Sequence, residues 1–167
     1  MEPFVRRSHL IVSALDEMQV QTSWTHHADA VVLDLTDSIP EVDKPQAREG
    51  IKAAIPIASR GAAEVFVHIN KPLAYADIEA SAWPGLKGVV FTGAEAATDV
   101  EDIAATLETF ERSRGIAHGA LQMIVMLDSG KGVWNIREII KASPRVCSIG
   151  LDEGNLCRNL GIVPNAE

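Results

Sequence analysis

The sequence predicts an α/β fold built on a parallel sheet. Three observations carry this. Short runs rich in Val, Ile and Leu recur along the chain. They are continuous rather than alternating, as suits strands covered on both faces. Helix-like stretches separate them, so β and α elements alternate.

The first strand is predicted over His9–Ala14 (HLIVSA), followed by a helix over Ala14–Trp24. The second strand, Ala30–Leu35 (AVVLDL), leads to a helix over Lys44–Ile57, with Pro45 in a first turn that tolerates proline. Glu64–Ile69 (EVFVHI) is the third strand, and Pro72–Trp83 the next helix. Gly88–Phe91 (GVVF) follows, then a helix over Thr98–Arg114, where Thr98 and Glu101 have capping-box spacing. Leu121–Leu127 is the fifth strand, Lys131–Ala142 a helix that stops before Pro144, and Val146–Leu151 the sixth strand. This gives six strands with five intervening helices in a single domain, residues 1–167. Two architectures fit: an open doubly wound sheet, or a (β/α)8 barrel cut short. A full barrel takes roughly 250 residues. No GxGxxG turn follows the first strand, which argues against dinucleotide binding.

Composition narrows the function classes. A net charge of -8 disfavours nucleic-acid binding, which needs cationic surface to displace counterions. Arg6-Arg7 remains a local basic spot for an anionic ligand. No apolar stretch is long enough to span a bilayer, so no membrane partner is expected. Two cysteines without CxxC spacing, and an N-terminus without a signal-peptide apolar run, point to a reducing, cytoplasmic setting.

Ligands of parallel α/β folds bind beyond the C-terminal ends of the strands. The polar residues there are Asp34 and Asp37 after strand two, His68 and Asn70 at strand three, and Thr92-Gly93 at strand four. Asp128 and Ser129 follow strand five, and Asp152, Glu153 and Asn155 follow strand six. Carboxylates converging on one rim suit a hard cation such as Mg²⁺. Acids at strand ends also cap the helices that follow. Lys44 and Arg48 read as local ion-pairing residues, Cys147 as a small core residue, and Trp83 and Trp134 as packing anchors.

The segments RRSHLIV, ADAVVLDLTDSIPEVDKPQAR, VFVHIN, GVVFTGAEAATDVEDI, IVMLDSGKG and IGLDEGNLCRNLGI occur in that order over nearly the whole chain. Together they resemble the HpcH/HpaI aldolase and citrate lyase beta-subunit family, including malyl-CoA-type lyases. The resemblance implies a TIM-type barrel, here an incomplete (β/α)8 barrel lacking the last two β-α units. It also implies Mg²⁺-dependent making or breaking of a carbon–carbon bond beside a carbonyl, in an oxoacid or CoA thioester. It places catalytic roles on His68, Asp34 and Asp37 and substrate-binding roles on Arg7, Asn70 and Asp128. Asp128 and Asn155 become the metal ligands. The sequence departs from the family pattern at several of these positions. The family's D-L-E-D is Asp34-Leu35-Thr36-Asp37, and its R-x-N is His68-Ile69-Asn70. Its P-K is Thr92-Gly93, with Glu95 retained. A metal-binding glutamate becomes Asp128, the aspartate of G-A-E-D becomes Asn155, and a P-G turn becomes Ser13-Ala14. A homo-oligomer or a complex with a complete homologue is expected. The alternative to an active lyase is an impaired family member serving as a structural or regulatory partner, or an inactive fragment.

Overall fold

The computed structural model describes residues 5–163; part of the N-terminal segment read for a leader therefore lies outside the described residues. The strands are β1 His9–Ser13, β2 Ala30–Asp34, β3 Glu64–Asn70, β4 Gly88–Thr92, β5 Gln122–Leu127 and β6 Val146–Leu151. The helices are α1 Glu17–Thr22, α2 Lys44–Ala58, α3 Ala74–Ser81, α4 Ala97–Arg114, α5 Gly130–Trp134, α6 Ile136–Lys141 and α7 Glu153–Leu160.

All five strand pairings are parallel, and the sheet order is β1-β2-β3-β4-β5-β6. A doubly wound sheet reverses its strand order at a switch point. This sheet never reverses, so right-handed crossovers put the successive helices on the same face. That is the wall of a barrel, and the doubly wound alternative falls.

Strand pleating then explains the continuous apolar runs. Val31, Leu33, Val65, Val67, Val89, Phe91, Met123 and Val125 belong to one large buried cluster that includes the helices' apolar faces. Their neighbours Ala30, Val32, Phe66, Val90 and Ile124 form a smaller cluster on the opposite, inner face. Each strand is therefore apolar on both sides. Gly88 starts β4 because a Cβ there would lie 2.0 Å from the Gln122 carbonyl oxygen of β5.

Helix ends differ from expectation for local reasons. The helix predicted from Ala14 starts at Glu17, because the Asp16 carboxylate accepts from the Gln19 N–H at 3.0 Å and caps it. The Thr98/Glu101 capping box does not form. Asp99 instead reaches back to the Glu95 and Ala96 amides at 2.8 and 3.1 Å. The helix predicted over Lys131–Ala142 is broken at Asn135 into α5 and α6, and the Asn135 side chain donates to the Glu95 carbonyl. Helix α7 is an addition. Asp152 caps it, and Gly161 ends it with a φ of 66°. Two core expectations fail. Trp134 is 88% exposed, and Cys147 is exposed beside Arg6. Trp83 does pack, between the Lys52 ammonium and the Arg114 guanidinium.

Charge is also used as a tie. Lys44 pairs with Glu41 and Arg48 with Asp77. The most deeply buried clasp joins Glu111 of α4 to Arg145, just before β6. Its two N–H···O contacts are each 2.7 Å, and both side chains are buried. Glu111 also accepts from the Gly119 and Leu121 amides, and Arg145 donates to the Leu121 carbonyl. Burial alone would raise the Glu111 carboxyl. Arg145 and the two amides outweigh it and hold the carboxyl below its ordinary 4.5.

Two outcomes follow for this clasp. Arg145→Met leaves a buried carboxylate without its cation and should cost about 3–5 kcal/mol in urea unfolding. Because the folded carboxyl titrates below 4.5, its contribution is complete above that pH and fades as pH falls through the lower folded value. Urea midpoints measured from pH 6 to pH 3 should therefore fall, and fall less in the variant.

Candidate active site

Parallel pairing brings the C-terminal ends of the strands to one rim, where a cleft of about 370 Å³ opens. Asp37, Asn70, Thr92, Glu95, Asp128 and Asn155 line it, with Gly93, Ser129 and Asn159. A second, mostly apolar groove of about 560 Å³ runs along the inner sheet face. His68 lines only this groove, and Thr92 lines both.

Of the residues singled out from sequence, Asp37, Asn70, Asp128 and Asn155 meet in the cleft. Asp34 does not. It is 5% exposed and its oxygens are taken. Oδ1 accepts from the Thr36 amide at 2.9 Å, the Thr36 hydroxyl at 2.6 Å and His68 Nδ1 at 3.1 Å. Oδ2 accepts from the Ser38 amide at 3.0 Å. Burial pushes this carboxyl up, but His68, Thr36 and Ser38 hold it far below the usual carboxylate range. Asp34 is thus a fixed internal anion and not an acid facing the cleft. Arg7 does not meet the others in this cleft either. Its backbone N–H donates to Asp29 at 2.8 Å, ahead of β1 and β2, so it sits at the opposite end of the sheet from the cleft.

His68 is held from both sides. Nδ1 lies 3.1 Å from Asp34 and from the Thr36 hydroxyl, and Nε2 lies 3.3 Å from Thr92 Oγ1. The Asn70 Oδ1 atom is buried and has no hydrogen-bond partner among the described residues. The residue itself lines the cleft, but this oxygen has almost no surface open to it.

The cleft is electrically lopsided. Burial raises the Asp128 carboxyl above its usual range, and the Asp152 and Glu95 charges add to that, against the Gly93 amide. Lys131 pairs with Glu95 at 3.1 Å, and Lys71 with Asp99 at 2.6 Å. At Gly93, where the family pattern has lysine, φ is +93°, and a Cβ would lie 3.1 Å from Lys71 Cβ. A lysine side chain is therefore excluded there by backbone conformation.

Among the described residues, no three His, Cys, Asp or Glu side chains converge on a metal position. Mg²⁺ needs no such cage. It commonly rests on one or two carboxylates and takes its other oxygens from water and substrate. Glu95 and Asp128 fit that pattern. Asn155 fits it poorly. Its amide NH₂ donates to Asp152 at 2.6 Å and to Asp37 at 3.2 Å, while its oxygen accepts from Arg158 at 2.6 Å. The oxygen keeps a second lone pair, so Arg158 competes with a cation there rather than excluding it. Thr92 was visible as a strand-end polar residue, whereas Arg158 was not legible as a site residue. The one available signal for Arg158 was its i+3 spacing from Asn155 on a helix that Asp152 and Gly161 delimit.

Two groups of known proteins resemble this chain. The citrate lyase subunit beta of Escherichia coli K12 is 29% identical over 158 residues, covering 93% of this chain and 52% of the relative. The L-malyl-CoA/beta-methylmalyl-CoA lyase of Cereibacter sphaeroides ATCC 17025 is 30% identical over 141 residues, 81% of this chain and 44% of that one. The chain spans about half the length of the curated relatives it matches. Among solved structures, Haloferax volcanii malate synthase in its magnesium/glyoxylate complex superimposes with a TM-score of 0.80 at 14% identity. That match covers 98% of this chain and 56% of the other. The citrate lyase beta subunit of Mycobacterium tuberculosis, complexed with oxaloacetate and magnesium, gives 0.68 at 20% identity, covering 95% and 63%. These structural likenesses carry the fold. Residues 7–167 match the HpcH/HpaI aldolase/citrate lyase family, and the chain belongs to that family.

Proposed function

We propose that this chain is a divergent carbon–carbon lyase acting on an oxoacid or a CoA thioester, with Mg²⁺ as its cofactor. The observation that carries the reading is the oxygen-rich cleft at the C-terminal rim, where Asp37, Asn70, Glu95, Asp128 and Asn155 meet. Family membership and the magnesium-bound structural neighbours support it. Glu95 and Asp128 would hold the metal. When bound, Mg²⁺ supplies a Lewis acid that stabilises the enolate beside the carbonyl. Asn70, in the cleft wall, would help orient the substrate. Asp37 would keep Asn155 turned toward the rim. We place the protein in the cytoplasm, as a homo-oligomer or beside a complete homologue.

A second reading has its own support. Arg158 occupies the oxygen of Asn155, and His68 replaces an arginine that would clamp an anion more strongly. On that reading the chain is an impaired member that acts as a structural or regulatory partner, or an inactive fragment.

Calorimetry separates the two. Titration of millimolar Mg²⁺ into the protein with oxaloacetate or pyruvate present should give saturable binding, weakened at least tenfold, about 1.4 kcal/mol, by Asp128→Ala. No binding with either oxoacid sinks the lyase reading. A metal-free measurement tests the same residue differently. The folded Asp128 carboxyl is raised above 3.8, so ionising it opposes folding and stability grows as pH falls through that window. Asp128→Asn should therefore raise the thermal midpoint by about 1–2 °C at neutral pH without metal, the shift of a few tenths of a kcal/mol in a chain this size.

A further inference from the structure

The contacts around His68 do more than hold a ring. Asp34 accepts three protein hydrogen bonds besides the one from His68, so its charge is fixed. An ionised carboxylate only accepts, so the imidazole nitrogen 3.1 Å away must carry a proton. That fixes Nδ1–H, leaving Nε2 as the basic nitrogen in the neutral ring. Nε2 faces the Thr92 hydroxyl at 3.3 Å. The same hydroxyl lies 3.3 Å from the Ile69 carbonyl oxygen.

This geometry satisfies both protonation states of His68. With a neutral ring, the Thr92 hydroxyl donates to Nε2. With a charged ring, Nε2–H donates to the Thr92 oxygen, and the threonine proton turns to Ile69. Neither state strands a polar group, so proton transfer needs only rotation of one hydroxyl. Thr92 is also the residue shared by the inner groove and the cleft, paired in register with Asn70, which lines the cleft.

We propose that Asp34, His68 and Thr92 form a proton relay into the cleft, with the Thr92 hydroxyl taking the proton of a substrate hydroxyl seated against Asn70. This rests on the lyase reading and names its base. The substrate O–H proton passes to Thr92 Oγ1 as the threonine proton passes to His68 Nε2. The O–H electron pair becomes the new carbonyl bond, and the adjacent carbon–carbon bond breaks. Its electron pair leaves as an enolate. Water protonates the enolate, and His68 returns its proton to water, so the cycle gains and loses none. Thr92 is the group that meets substrate. His68 and Asp34 act through it.

Two measurements test the relay on the whole chain. In ¹⁵N-labelled protein, the His68 ring should show a protonated Nδ1 and a bare Nε2 in its neutral form; a protonated Nε2 and bare Nδ1 would overturn the relay. In turnover of malyl-CoA or citramalyl-CoA, Thr92→Val should lower kcat about 100-fold with little change in KM, the low end of general-base effects, and Thr92→Ser should recover most of it. The valine is close in shape, and an unchanged thermal midpoint would exclude unfolding as the cause. Turnover that Thr92→Val leaves intact overturns the relay while the lyase reading stands. No turnover of either ester by the unsubstituted protein overturns the lyase reading and the relay with it.

Discussion

Parallel pairing in consecutive order is the constraint on which the site depends. In such a sheet the strands point one way, so their C-terminal ends share a rim. Register then decides which side chains meet there. Asp34 lies across from His68, and Asn70 across from Thr92. With a pleat period of two, the residues that look inward from β2 to β4 are Asp34, His68, Asn70 and Thr92. A slip of one position would bury these groups among the helices and turn Leu33, Ile69 and Phe91 into the interior. The apolar seal of the outer cluster and the chemistry of the rim are two consequences of one register.

The polar groups at the rim divide into those already satisfied and those still open. Asp34 is saturated by internal donors and is a source of fixed negative potential. Asn155 is largely committed too, between two acids and Arg158. Asp128 and Asn70 are the unsettled ones, the first raised by burial and neighbouring charge, the second with a buried, unpartnered oxygen. Unsettled groups are where a ligand gains most, since structural groups spend their hydrogen bonds within the fold.

Much of this was legible in the sequence. The six strands fall within about a residue of where Val and Ile runs predict them, because burial on both faces leaves a strong signal. Helix ends were less legible. Capping depends on which of several nearby acids turns toward a free amide, and at α4 it is Asp99 rather than Thr98. The rim residues were visible as polar groups at strand ends, yet their partners were not. Nothing in the spacing of Asp34 shows that Thr36, Ser38 and His68 will consume its oxygens. Nothing in the position of Arg7, ahead of the first strand, carries it to the far rim. Trp134 shows the limit of composition, since a large apolar side chain is buried only when the fold supplies a neighbour.

Thr36 and His68 are both departures from the family pattern, and they touch, with Thr36 Oγ1 3.1 Å from His68 Nδ1. Both also bond the same oxygen of Asp34. The two positions are therefore one cluster in physical terms. A glutamate at position 36 alone would set a second negative charge against Asp34 and lose a hydroxyl donor. An arginine at position 68 alone would crowd a cluster sized for an imidazole. Neither residue can be exchanged without disturbing the other's contact, so positions 36 and 68 are energetically coupled through one carboxylate oxygen.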